Sequence, residues 1–544
     1  MATTSPDRDD ANRKAARVSA GGRPPELSLR VPWVLAGIAL VLLALGAFLI
    51  STAFNSPHEM RRIGGNLAVN VGALNPLDLS SNNTPIVAGN PANPANLVIA
   101  NKIDSPTYSC ALNVSFDGGG HWTQTPIPVP GTTGHVPECY APDASFGADG
   151  TLYVSFVTLA GRANAPHAAW LVTSRDGGQT LSPPIATPLG RDAFQVRVAA
   201  DPRVPGRVYL VWLKAAPALV LYGFGAAGNP IDAVRSDDGG RNWMAPTQVS
   251  APGQSRVISP APAFGPRGQL YVLYLNLEGD SLDYSGASGG SAGPPYAGQW
   301  QLALARSLNR GTSWTGSTVG SVAPTRRFIV YTPPFPSLAV DPASGRLYVA
   351  FENAHGGHSD VNLWTLAPGA RSWSSPVRVN DTPVKDATEQ YLPKVAVAPN
   401  GRVDIVYYDR RGDPTNVLNQ VSLQSSYDHG KTFSRHIVLS NRPFSSRIGF
   451  GADRGLADLG GTLGLVSTAN HAMAAWADTR AGTLVTLKQD IARQIVAFNS
   501  PERLSAGLKA VLRIAAIALV LLGIAVMVML GRGAPPPARS AARD

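Results

Sequence analysis

One short pattern recurs along this chain and limits its fold more than any other feature. It reads Ser-x-Asp-x-Gly-x-x followed by a large apolar residue. Copies stand at Ser115-Phe-Asp117-Gly-Gly119-Gly-His-Trp122, Ser174-Arg-Asp176-Gly-Gly178-Gln-Thr-Leu181 and Ser236-Asp-Asp238-Gly-Gly240-Arg-Asn-Trp243. Two more are Ser307-Leu-Asn309-Arg-Gly311-Thr-Ser-Trp314, with Asn for Asp, and Ser426-Tyr-Asp428-His-Gly430-Lys-Thr-Phe433. A worn copy falls within Thr365–Trp373. The Asp accepts backbone N–H groups inside a tight turn, the Gly supplies a positive-φ position, and the terminal aromatic returns to the core. Each copy follows an apolar stretch. A repeated unit of this kind implies an array built from one supersecondary motif.

A second repeat lies between the first. It reads as strand, glycine turn, strand. Examples begin at Ala144, Val198, Ala263, Leu338 and Val395, and include Val198-Ala-Ala-Asp-Pro and Gly206-Arg-Val-Tyr-Leu-Val-Trp212. Degenerate copies cover Asn90–Ala100 and Gly464–Trp476. That makes seven candidate hairpins, spaced roughly 55–75 residues apart. With 55 Gly, 46 Pro and only 15% charged residues, the composition suits a turn-rich sheet protein.

The first pattern resembles the Asp box, or BNR repeat, of the sialidase-like β-propellers. The resemblance covers roughly residues 86–490 and implies an all-β propeller of six or seven blades, seven being favoured. In that family each box closes the hairpin between the third and fourth strands of a blade. Asp117, Asp176, Asp238, Asn309 and Asp428 are accordingly expected to be structural.

Strand alternation puts the boxes and the first-to-second-strand turns on one face of such a ring. The longer second-to-third and fourth-to-first connections emerge on the other, where function is expected. Sialidases hold a substrate carboxylate with three arginines and use a Tyr nucleophile activated by Glu, with an Asp as acid/base. The resemblance implies such roles for Tyr391, Glu389 and Asp409, with Glu138 and Tyr140 as a second Glu/Tyr pair. Arg410, Arg411, Arg454 and Arg480 would form the carboxylate site, since a guanidinium binds carboxylate bidentately. The family's Arg-Ile-Pro motif is absent. Its nearest approaches are Arg62-Ile63-Gly64 and Arg203-Val-Pro205, the second on the turn face. The histidines lack carboxylates at ligand spacing, so no metal site is expected, and no cofactor motif is present.

Two apolar runs flank the repeats. Residues 31–52 carry no charge, and residues 514–530 form a second run behind Lys509 and Arg513. Both read as membrane-spanning helices. The expected organisation is a tail 1–30, a span 31–52, a linker 53–85, the propeller 86–490, a linker 491–507, a span 508–530 and a tail 531–544. Arg13, Lys14, Arg17, Arg23 and Arg30 favour a cytoplasmic N-terminus, and Arg532, Arg539 and Arg543 agree for the C-terminus. The propeller is then extracytoplasmic, at the plasma membrane. Cys110 and Cys139, the sole cysteines, fit an oxidising compartment, and a bridge between them contributes about 3 kcal/mol.

The net charge of +10 sits largely in the tails and beside the second run, leaving about +4 for the middle. Nucleic acid is not an expected partner. Three readings follow: a membrane-anchored propeller binding a glycan or an envelope protein, an exo-glycosidase acting on an acidic sugar, or a structural partner of another membrane protein. The third would use small helix residues such as Gly37, Gly46 and Gly523 for contact.

Overall fold

The computed structural model describes residues 30–54, 59–499 and 506–532, apart from 74, 76, 132–136, 161–164, 219–220, 224–228, 281–295, 325–333, 356 and 451–458. They belong to two compact units, one of Met1–His58 with Ser500–Asp544 and one of Glu59–Asn499.

In the larger unit the described residues form seven antiparallel blade sheets, six of four strands and one of five, and a separate two-stranded ribbon of Ala216–Ala218 and Leu221–Gly223. Blade 1 holds Asn82–Asn90, Asn93–Ile103, Ser109–Ser115 and Thr123–Thr125, and blade 2 holds Cys139–Phe146, Leu152–Ala160, Ala165–Ser174 and Ile185–Ala186. Blade 3 holds Ala193–Ala200, Val208–Lys214, Ile231–Ser236 and Thr247–Gln248, and blade 4 holds Val257–Phe264, Leu270–Asn276, Trp300–Ser307 and Thr315–Val322. Blade 5 holds Ser337–Val340, Leu347–Asn353, Asp360–Leu366 and Val377–Arg378. Blade 6 holds Gln390–Val397, Val403–Asp409, Leu418–Ser426 and Ile437–Val438, and Phe444–Ser445 pairs back onto its third strand. Blade 7 takes Gly464–Ser467, His471–Asp478 and Asp490–Phe498 from the C-terminal side and its outer strand, Met60–Ala68, from the N-terminal side. This is a seven-bladed β-propeller.

The closing blade explains why the repeat has fewer clear copies than there are blades. In blade 7 the third and fourth strands come from opposite ends of the sequence, with Met60 opposite Phe498. No turn joins them, so no box is needed. Blade 5 carries the worn copy, which keeps the Ser374 N–H to Thr365 O bond at 2.9 Å that clear copies also make, as Ser434 does to Ser425 at 2.8 Å. The five clear copies share one geometry. The Ser hydroxyl donates to the Asp or Asn oxygen at 2.6–2.9 Å, as Ser174 does to Asp176 and Ser307 to Asn309. The Gly N–H donates to that Ser Oγ at 2.8–2.9 Å. A second N–H, four residues past the acid, donates to its Oδ1 at 2.9–3.0 Å. The Gly must take φ near 92° at Gly240, which a Cβ would resist.

The second strands are buried on both faces. Val403–Asp409 has no exposed residue, because blades pack face to face around the ring. That burial selects near-continuous apolar runs such as Leu270-Tyr-Val-Leu-Tyr-Leu275 instead of strict alternation. Core clusters bridge neighbouring blades, as where Val211 and Leu213 of blade 3 join Leu273 and Tyr274 of blade 4. Each fully buried Leu or Val contributes about 1.5–3 kcal/mol.

The smaller unit holds two helices, α1 (Arg30–Phe54) and α2 (Ala506–Arg532). They pack along a seam of small residues, with Ala39 and Ala516 at 0% exposure. A Cβ on Gly46 would meet Val520 at 2.6 Å, and one on Gly523 would meet Leu43 at 2.8 Å. Of the two expected spans, one is supported by length and apolarity: Ala510–Leu530. The described apolar part of α1 is the shorter Trp33–Leu49.

Candidate functional site

The first strand of each blade lines the central channel, and a shared distortion sets what it presents there. In five blades this strand carries a β-bulge with a non-glycine residue at positive φ: Thr84, Ala141, Gln195, Ser259 and Leu392, at 49–59°. The ladder register shifts at each one. A bulge re-aims the following side chains at a local cost on the order of 1 kcal/mol. Two residues further on stand Ile86, Asp143, Arg197, Ala261 and Lys394, and all five wall the channel. Side chains of the preceding blade occupy N–H groups along the inner strands. Gln195 Oε1 accepts from Ser259 N at 2.7 Å, and Glu352 Oε2 accepts from Leu392 N at 3.1 Å.

The channel encloses about 400 Å³. Among the described residues lining it, Asp143, Arg197 and Lys394 are the titratable ones, and Phe264, Phe335 and several prolines give it apolar walls. Asp143 Oδ2 accepts Val198 N–H at 2.8 Å, and its Oδ1 lies 3.6 Å from Arg197 Nη1. The Arg197 guanidinium carbon stands 3.9 Å from the centre of the Phe335 ring. Burial raises the Asp143 carboxyl, against the pull of Arg197. Burial also depresses Arg197. Lys394 is pushed down to about 8, first by burial and then by the Arg197 charge. Two cations thus face one carboxylate in a setting where charge is poorly screened. The imbalance suits an incoming anion.

The residues implied by the family resemblance are placed differently. Tyr391 is fully buried, donates to Asn419 Oδ1 at 2.8 Å and accepts from Arg410 at 3.2 Å. Burial raises its hydroxyl pKa further. Glu389 is also buried and spends Oε2 on Ser359, at 2.6 Å to N and 2.5 Å to Oγ, not on the Tyr391 hydroxyl. Asp409 is enclosed between Arg411 Nε at 2.5 Å and Ser422 Oγ at 2.7 Å. A nucleophile, its activating carboxylate and an acid/base are therefore not assembled at an open site.

The arginines do not converge either. Arg410 is buried against Tyr391, Asn419 and Ser446. Arg411 bridges Asp409, Asp381 and Tyr407. Arg480 is held by Asp478, Asn66 and Asn441. Arg454 lies outside the described residues. Arg411 and Arg480 thus sit in loop-holding ion pairs, and Arg410 in a buried network of neutral partners. Glu138 and Tyr140 remain partly exposed, with Tyr140 edge-on to Tyr108 at 5.8 Å and 5.3 Å from the Lys102 ammonium. Beside them Cys110 and Cys139 form a disulfide joining the third strand of blade 1 to the first strand of blade 2. No group of three or more metal-ligating side chains occurs among the described residues.

No family model matches the chain, and no curated protein matches it. Solved structures do. A protein of unknown function from Dyadobacter fermentans aligns at TM-score 0.44 and 13% identity, over 81% of this chain and 99% of that one. A Hadza microbial sialidase aligns at 0.40 and 13%, over 73% of each chain. The α-L-arabinanase of Penicillium chrysogenum aligns at 0.39 and 13%, over 66% and 92%. These are similarities of fold and carry no chemistry to this chain.

Proposed function

We propose that this chain is a membrane-anchored Asp-box propeller that binds a small carboxylate-bearing ligand of the acidic-sugar class in its central channel. The observation that carries this reading is the grouping of Arg197 and Lys394 against the single carboxylate of Asp143 inside a channel of about 400 Å³. A carboxylate entering beside Arg197 would neutralise the excess charge. The Phe264 and Phe335 walls suit the apolar face of a sugar ring.

Anchoring rests on α2, whose outward residues Ile514, Ile517, Leu521 and Met529 are all more than half exposed. On α1, Trp33 and Phe48 are likewise exposed. An apolar helix pair with an apolar outer surface is matched by lipid, not water. The disulfide and the basic N-terminal tail support placing the propeller outside the cytoplasm. Gly46 and Gly523 are used within the pair, which leaves the partner-docking reading without them.

The test is calorimetric titration of the detergent-solubilised full chain with a panel of neutral, amino and acidic monosaccharides and short oligosaccharides. The reading expects binding restricted to the acidic members and loss of that binding in Arg197→Met. Equal affinity for neutral and acidic sugars, or none for any, would sink it.

A further inference from the structure

The chain enters and leaves the propeller on one face. Third strands run toward the repeat turns, so Phe498 ends there, and Met60 begins the outermost strand beside it. Asn499 N–H donates to Glu59 O at 3.1 Å, which holds the two ends together. The face they leave from is the one formed by the repeat turns and the first-to-second-strand turns.

That face is built for more than turning the chain. Arg175, Arg241, Arg267, Arg310, Arg371 and Lys431 all project from its turns and are exposed. Its carboxylates offset part of that charge, Asp149 and Asp341 among them, bonded within their turns by Thr151 and Ser344. Asp117, Asp176, Asp238 and Asp428 accept N–H groups of their own turns, while Asp201 and Asp237 pair with Arg207. Among the cations stand large apolar side chains: Phe116 at 43% exposure, Met244 at 50%, Leu308 at 65% and Tyr427 at 38%. Phe116, Leu308 and Tyr427 occupy the same position, one residue before the box acid, where the turn geometry does not require an apolar group.

We infer that this repeat-turn face rests on an anionic lipid surface, its cations among the headgroup phosphates and its apolar side chains at the acyl boundary. Alternating basic and apolar protrusions match that interface, and each Lys or Arg near an anionic membrane contributes about 1 kcal/mol. The inference rests on the anchoring reading above. It adds that the opposite face, with the longer loops and the disulfide, is presented away from lipid.

Both native cysteines are paired, so an introduced thiol can be labelled alone. The full chain carrying Leu308→Cys, or Val384→Cys on the opposite face, is labelled with a fluorophore. It is then placed in nanodiscs of phosphatidylcholine, with or without phosphatidylglycerol, containing a headgroup-quencher lipid. Position 308 is expected to be quenched at least about threefold more than 384 in the anionic discs. High salt, or Arg241→Glu with Arg267→Glu and Arg310→Glu, should reduce that difference. Equal quenching at the two positions in discs that do carry the protein overturns the docking inference alone. Failure of the chain to co-elute with discs overturns the anchoring reading and this inference with it.

Discussion

Arg197 Nη1 stands 3.6 Å from Oδ1 of Asp143, beyond ordinary hydrogen-bond length. The carboxylate is held instead by the Val198 N–H, at 2.8 Å to Oδ2. Asp143 therefore tempers the channel's positive charge without occupying the guanidinium. Arg197→Met and Asp143→Asn should move anion affinity in opposite directions. The first is expected to weaken binding of an acidic sugar at least about tenfold, or about 1.4 kcal/mol. The second keeps an acceptor for Val198 and should tighten binding several-fold. Titration of both variants against wild type checks the signs, and a shared direction would contradict the charge argument.

Lys394 adds a pH dependence. Its pKa is pushed down to about 8, so the empty channel loses this cation as pH rises through 8. An anion binds the protonated form better, so affinity should fall above pH 8. Lys394→Arg should hold its affinity to pH 9.5, and Lys394→Met should be weak and nearly flat. Stability has the opposite sign. Between pH 8 and the ordinary lysine value of 10.5 the unfolded chain binds more protons at this residue than the folded chain does. Its contribution to stability therefore rises with pH across that window. Affinity measured from pH 6.5 to 9.5 provides the check, and a flat wild-type profile would remove Lys394 from the site.

The repeat turns offer an internal comparison. Asn309 keeps the backbone bond its Asp counterparts make, accepting from Ser313 N at 3.0 Å, and reverses the side-chain one, donating to Ser313 Oγ at 2.8 Å. The charge is thus dispensable where the geometry is kept. Asp176→Asn should be nearly neutral at pH 7, whereas Asp176→Ala should cost about 1 kcal/mol, as loss of a capping acceptor does. The Asp176 pKa is lowered to about 2, burial opposing the bonds from Ser174 and Thr180. Its stabilising contribution is present above the ordinary Asp value of 3.8 and is lost as pH falls toward 2. Denaturant midpoints at pH 7 and pH 3 distinguish the two variants.

Much of the fold was legible because the same mechanical problem is solved in blade after blade. Ser, Asp and Gly recur where a turn needs an acceptor and a positive φ, and Leu-Tyr-Val runs recur where a strand is covered on both faces. Blade count was legible from the second repeat, while the absent seventh box needed the pairing of Met60 with Phe498 to make sense. The channel was missed by one residue. Three of the hairpin repeats start at Ala144, Val198 and Val395, and the charges stand immediately before them. A charged residue at one shared offset in three first strands was the available signal. What hid it was the bulge, which no local propensity marks. The loop arginines were harder to place, because an Asp-x-Arg spacing looks alike whether the guanidinium faces a ligand or folds back, as Arg480 does onto Asp478.

Asp490 makes the loops around the ring closure sensitive to pH. Burial raises its pKa to about 6, against a bond from Asn70 and the nearby Lys488 charge. For a raised carboxyl the folded state holds the proton longer, so stability falls as pH rises from the ordinary Asp value of 3.8 through 6. Asp490→Asn keeps an acceptor for Asn70 and removes that penalty. The expected gain is about 1–2 kcal/mol at pH 7.5, vanishing below pH 4, after allowing for the lost attraction to Lys488. Urea unfolding of the variant at the two pH values checks it. A destabilised variant at pH 7.5 would mean that the Lys488 contact outweighs burial.

Ring closure itself is secured by Arg402. Its side chain is 1% exposed, and its guanidinium grips Asp404 through Nε at 2.8 Å and Nη2 at 2.9 Å. Nη1 donates to Ala469 O in blade 7 at 2.8 Å, and the guanidinium carbon lies 3.4 Å from the centre of the Phe498 ring, on the last strand before the chain leaves the propeller. Arg402→Ala leaves the fully buried Asp404 carboxylate with only Ser425 and Ser467 as hydrogen-bond donors. Removing one partner of a buried pair costs about 3–5 kcal/mol. Arg402→Met combined with Asp404→Asn removes the charge and fills the space, so it should recover more than half of that loss. Local opening should also appear, because Phe498 loses its cover while the other blades keep theirs. Hydrogen exchange is therefore expected to accelerate first at Ile495–Phe498 and Met60–Ile63. Uniform acceleration across all seven blades would instead mean that Arg402 supports the ring as a whole and not its seam.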